Sequence, residues 1–94
     1  LEAMGTIIKS SGIISNLIER KIGNIVTGDY APAFPLKHLH KDLGLMTDTA
    51  RRVGARLPAT DAYYELFTQA KAAGLGEQDA VALYRQLAAM AGIE

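Results

Sequence analysis

The chain has 94 residues, 49% of them hydrophobic and 21% charged, and its ten basic side chains balance ten acidic ones. That is the composition of a folded globular domain, and zero net charge argues against nucleic acid, where affinity rests on phosphate neutralisation. The lack of cysteine excludes disulfide scaffolds and thiolate chemistry, no stretch is long and apolar enough for a membrane span, and a cytoplasmic location is expected.

Alanine-rich sequence punctuated by glycine predicts an all-α fold, one domain over residues 1–94 made of four or five helices. The first, about 2–10, opens with no start signal, as if entered in mid-helix, and breaks at Ser10-Ser11-Gly12. Leu1-Glu2-Ala3-Met4-Gly5 has neither the basic nor the apolar region of a signal peptide. The chain is therefore expected to be a fragment of a longer one. A second helix, about 13–26, places Ile14, Leu17, Ile18, Ile22 and Ile25 on one face and ends at Gly28-Asp29. Tyr30-Ala31-Pro32-Ala33-Phe34-Pro35 reads as a loop, because each proline biases the residue before it away from helix.

The third helix, 36–53, carries the strongest pattern. Leu36, Leu39, Leu43, Met46, Ala50 and Val53 recur in a 3-4-3-4-3 rhythm that builds a continuous apolar stripe. Pro35 suits the entrance, where its missing N–H costs nothing, and Gly54 suits a left-handed cap. On a helical wheel the stripe centres near Leu43, while Lys41 lies roughly opposite, with Leu45, Asp48 and Arg52 on its side. A leucine in the middle of a charged back face predicts that this side meets something else. Thr60 reads as the N-cap of a fourth helix, about 61–73, burying Ala62, Tyr63, Leu66, Phe67 and Ala70, with Asp61 in the first turn. Gly74 and Gly76 stop it. A fifth, about 77–91, opens with Glu77 and Asp79 and presents Ala80, Leu83, Tyr84, Leu87 and Met90, and Gly92 closes it.

The stretch Gly28-Asp29-Tyr30-Ala31-Pro32-Ala33-Phe34-Pro35, followed by Leu36-Lys37-His38-Leu39-His40-Lys41-Asp42-Leu43-Gly44-Leu45, resembles the C-terminal signature of the β-hydroxyacid dehydrogenases. Leu57-Pro58-Ala59-Thr60, Tyr64-Glu65-Leu66 and Ala73-Gly74-Leu75-Gly76-Glu77-Gln78-Asp79 are similar to the end of that domain, so the likeness covers about residues 13–91. The family includes 3-hydroxyisobutyrate dehydrogenase and relatives of 6-phosphogluconate dehydrogenase. The resemblance implies the helical C-terminal domain of an NAD- or NADP-dependent oxidoreductase acting on a small hydroxyacid. Such a domain closes the cleft against an N-terminal Rossmann domain and supports a homodimer. Lys41 matches the family lysine that reaches the nicotinamide cofactor, Asp42 its neighbour that supports the site, and Phe34 an aromatic lining the cleft. The lysine that acts as general acid/base in the family lies upstream of this chain. No catalytic residue is therefore assigned here, Lys9 included, and the chain alone is expected to be inactive.

Other motifs carry less. No glycine-rich dinucleotide fingerprint occurs, and Gly74-Leu75-Gly76 is a turn between helices. His38 and His40 point about 200° apart on a helix, so they cannot chelate one ion, and no metal site is expected. They read as polar positions on a helix flank, with Asp42 in reach of His38 for a weak pair. Ser10, Ser11 and Ser15 lack a nucleophile-elbow setting, and the four tyrosines read as core or interface residues. A stand-alone helical interaction or dimerisation module is the alternative from a different class.

Overall fold

A computed structural model of the chain describes residues 1–12 and 16–93. In chain order the elements are α1 (Glu2–Ser10), α2 (Asn16–Thr27), α3 (Leu36–Val53), α4 (Pro58–Ala70), a π-helical turn (Lys71–Leu75), a 3-10 turn (Ala80–Ala82) and α5 (Leu83–Met90). Among the described residues there is no strand, only an isolated antiparallel bridge between Pro35 and Asp79. The all-α expectation is met, and the chain divides into two units, Leu1–Tyr30 and Ala31–Glu94.

In the first unit α1 and α2 pack where Gly5 is buried. A Cβ there would stand 3.1 Å from Ile22 Cγ2, so the missing side chain is what admits the isoleucine. Lys9 pairs with Glu19 at 3.4 Å across the same two helices. Ile22 and Ile25 are half-buried as the spacing predicts, whereas Leu17 and Ile18 are exposed and Ile14 lies outside the described residues.

The second unit is built around α3, whose limits match the sequence prediction. Gly54 caps it at φ +70°, and the Ala55 N–H donates to the Ala50 carbonyl at 2.9 Å, a glycine-terminated helix end that satisfies otherwise orphaned carbonyls. At the other end the helix's unpaired N–H groups are taken up from a distance. Leu36 N–H donates to the Gln78 carbonyl at 2.8 Å and Lys37 N–H to the Gly76 carbonyl at 3.0 Å. Leu36 is fully buried, and Thr47, Ala50, Phe67, Ala70, Ala82 and Ala88 complete the core.

The buried face of α3 covers only part of the apolar stripe. Its core-facing residues are Leu36, Leu43, Thr47 and Ala50, whereas Met46 is 51% and Val53 73% exposed. At about 100° per residue, burial is rotated from the stripe toward His40, Gly44 and Thr47. The cause is α4: Tyr64 packs over Gly44, where a Cβ would sit 3.2 Å from Tyr64 Cε1. Thr47 is tolerated inside because its hydroxyl donates to the Gly44 carbonyl at 2.9 Å.

Two further boundaries differ from expectation. Helix α4 starts at Pro58, with Leu57 and not Thr60 at the N-cap. Proline at the first helical position is preorganised for entry and needs no donor. Ala62 and Tyr63 lie on the outer face of α4, exposed rather than core. The predicted fifth helix is shorter: Gly74, at φ +90°, kinks the chain within the π turn, and helix resumes only at Ala80 with Asp79 as its N-cap. Leu87 and Met90 are exposed.

Candidate functional site

Phe34 sits on the loop leading into α3, with its backbone held on both sides. The buried Asp79 carboxylate accepts from Ala33 N–H at 3.0 Å and Phe34 N–H at 3.1 Å through Oδ1, and from Val81 N–H at 3.0 Å through Oδ2. The Phe34 carbonyl accepts from Ala80 N–H at 2.9 Å. Despite this anchoring the Phe34 side chain is 43% exposed. Its ring lies 6.0 Å from the His38 ring, tilted by 48°. His38 precedes Lys41 and Asp42 by one helical turn, so Phe34 stands at the head of the strip that continues through Lys41 and Asp42 to Leu45.

Lys41 and Asp42 are both exposed, and neither makes an ion pair or hydrogen bond among the described residues. The Lys41 ammonium projects from the unit's outer side, as the wheel predicts. The expected pair between Asp42 and His38 does not form, because His38 turns to Phe34 instead. Leu45, 56% exposed on Lys41's side, opens onto a groove of about 450 Å³ shared with Met46, Thr49, Ala50, Val53, Ala55 and Leu57. Beyond it Arg51 pairs with Asp48 at 3.2 Å.

On the opposite flank His40 and Lys37 are engaged with the fold. His40 stacks on Tyr64, ring centroids 4.8 Å apart and nearly parallel at 12°. The Thr68 hydroxyl donates to the Tyr64 carbonyl at 2.8 Å, so its oxygen accepts from His40 Nε2–H at 2.9 Å. Burial, and then repulsion from Lys71, holds the His40 pKa below the ordinary histidine value. Lys37 binds Glu77 at 2.7 Å, and this hydrogen bond together with the ammonium's charge lowers the Glu77 carboxyl below its usual value. These two contacts tie α3 to α4 and to the turn after it.

Asp79 is the residue that sequence reading placed incorrectly. It was expected inside the first turn of a helix starting at Glu77, but it is the N-cap and is buried to 0% exposure. An aspartate directly before the apolar run Ala80-Val81-Ala82 is an N-cap signal. Its reach back to Ala33 and Phe34, 46 and 45 residues away, leaves no local trace in the sequence.

The strip offers an exposed cation without an ion pair among the described residues and an exposed aromatic with a fixed backbone. The ammonium is available to an anionic oxygen, and the ring to a planar partner. No phosphate-binding loop accompanies them. The helical fold is of the class found in β-hydroxyacid dehydrogenases. Residues 1–87 match the family described as NAD-binding of NADP-dependent 3-hydroxyisobutyrate dehydrogenase, and the chain belongs to that family. It is 39% identical over 69 residues to 3-sulfolactaldehyde reductase of Escherichia coli (strain K12), covering 73% of this chain and 23% of that protein. It is 34% identical over 79 residues to L-threonate dehydrogenase of Pectobacterium atrosepticum, covering 84% and 26%. A solved 3-hydroxyisobutyrate dehydrogenase from Salmonella typhimurium superposes with a TM-score of 0.80 at 31% identity, covering 89% of this chain and 30% of that one. The chain thus spans about a quarter of the length of the curated relatives it matches. The expected cofactor, NAD or NADP in the intact enzyme, agrees with the family's description.

Proposed function

We propose that this domain forms the helical wall of the cleft in an NAD(P)-dependent dehydrogenase of small 3-hydroxyacids. Nicotinamide dinucleotides supply or accept a hydride. The domain's own part is to place a cation and an aromatic against the bound cofactor and substrate and to exclude water when the cleft closes. The observation carrying the reading is the exposed, unpaired Lys41 on a rigid helix one turn after the ring that meets Phe34. Lys41 offers its ammonium to the cofactor, Phe34 lines the cleft, and Asp42 supports the same strip from the adjacent position. The dinucleotide phosphates are held elsewhere in the intact enzyme, on a Rossmann domain, since no glycine-rich fingerprint occurs in these 94 residues. The 94 residues alone carry no turnover, because the family's general acid/base lysine is matched by no residue of this sequence. The intact enzyme works in the cytoplasm as a homodimer, a state favoured by the apolar side chains left exposed along α3.

In the full-length enzyme, Lys41→Ala is expected to weaken NADPH binding by about tenfold, in line with loss of one charge-assisted contact. The melting temperature should stay within a degree or so, because exposed positions away from structural features contribute little to stability. Fluorescence titration with NADPH beside a thermal melt checks both. Unchanged NADPH affinity would remove Lys41 from the cleft.

A further inference from the structure

We infer that Asp79 is a positioning residue of the cleft, acting through Phe34. The inference rests on the place given to Phe34 in the proposed function.

A carboxylate at 0% exposure loses its hydration, and only good hydrogen bonds in the interior offset that loss. Val81 N–H, the helix-capping bond, needs only one oxygen. A serine or threonine would supply that cap with no buried charge. The other oxygen is committed to two consecutive amides, Ala33 and Phe34, and only an acceptor-only group meets three converging N–H donors without presenting a donor of its own. Phe34 is therefore fixed at its N–H by Asp79 and at its carbonyl by Ala80 N–H. Pro35 follows with its own φ locked, bridged to Asp79. The side chain so fixed is not a core residue; 43% of it faces out. A surface phenylalanine needs no such anchoring for the fold's sake. The α3 entrance beside it is capped separately, by the Gln78 and Gly76 carbonyls at Leu36 and Lys37 N–H, so the carboxylate's bonds to Ala33 and Phe34 serve the ring and not the helix end.

Asp79→Ser keeps a capping oxygen for Val81 but is too short to reach the Ala33 and Phe34 amides. Asp79→Thr, equally short and also a capping residue, serves if the serine variant does not fold. In the full-length enzyme, NADPH fluorescence titration of Phe34→Ala is expected to show affinity weakened roughly 5-fold, the scale of a lost aromatic contact. Asp79→Ser should weaken it comparably, and the double variant no further than Phe34→Ala alone. Amide exchange should show protection lost at Ala33 and Phe34 in Asp79→Ser and kept at Val81. Wild-type NADPH affinity in both Asp79 variants, an additive double variant, or retained protection at Phe34 overturns the inference while leaving the cleft reading intact. A silent Phe34→Ala overturns the cleft reading itself, and the inference with it.

Discussion

At His40 the charge state is set by its neighbours. Its pKa lies below 6.5 because burial disfavours the imidazolium and Lys71 repels it. The unfolded ring, lacking both influences, takes up a proton more readily. The resulting contribution to stability is present above the unfolded value and is lost as pH falls through it toward the folded one. Thermal melts from about pH 7.5 down to about pH 5.5 should therefore show a fall in melting temperature that is smaller in His40→Gln. An identical slope in the variant would mean that other groups produce the fall. Sequence reading separated the two histidines correctly as pointing apart, since helical geometry alone dictates it. It could not say that one turns to Phe34 and the other to Tyr64, because both partners come from other elements. The same limit hid Asp79. The candidates Lys41, Asp42 and Phe34 came from a linear motif, and the structure leaves all three exposed on a common side of the unit.

The pairing of α3 with α4 shows what an element's pattern encodes. The bounds of α3 were readable because proline, periodicity and glycine agree at its two ends. Its inward face was not, because periodicity reports where apolar residues lie and not which neighbour covers them. Tyr64 is admitted only because residue 44 has no Cβ, so the polar-looking side bearing His40, Gly44 and Thr47 is the one that packs. The ring is also stacked on His40, one turn before Gly44 on the same helix, so moving it would break that contact. Gly44→Val is accordingly expected to destabilise the domain by about 2 kcal/mol, the middle of the range for overpacking, with the added branched side chain outweighing the helix propensity gained on losing glycine. Urea denaturation checks it. A variant as stable as wild type would show that Tyr64 has room to move. The start of α4 was misjudged for a related reason: Thr60 has the better capping side chain, but Pro58 already fixes the helical φ two residues earlier.

For the whole molecule, the surplus of apolar surface follows from that offset. Because α4 takes the side of α3 centred nearer Thr47, the side carrying Leu45, Met46 and Val53 is left uncovered, and Leu57 joins it across the groove. Met46 and Val53 were expected in this domain's core, and their exposure identifies a face that the domain does not bury by itself. Clusters of this kind on an isolated domain favour association. The 94-residue chain is therefore expected to dimerise at high micromolar concentration, with light scattering giving twice the chain mass. Val53 is 73% exposed, so Val53→Glu removes almost no burial within one chain and should leave the melting temperature of the dilute protein within about a degree or two. In a dimer formed through this face the same carboxylate would lose its water without a partner, a cost of several kcal/mol, and the scattering mass should fall to that of a single chain. A wild-type chain that is monomeric under the same conditions would contradict dimerisation. A Val53→Glu chain that still dimerises would place the contact on another face.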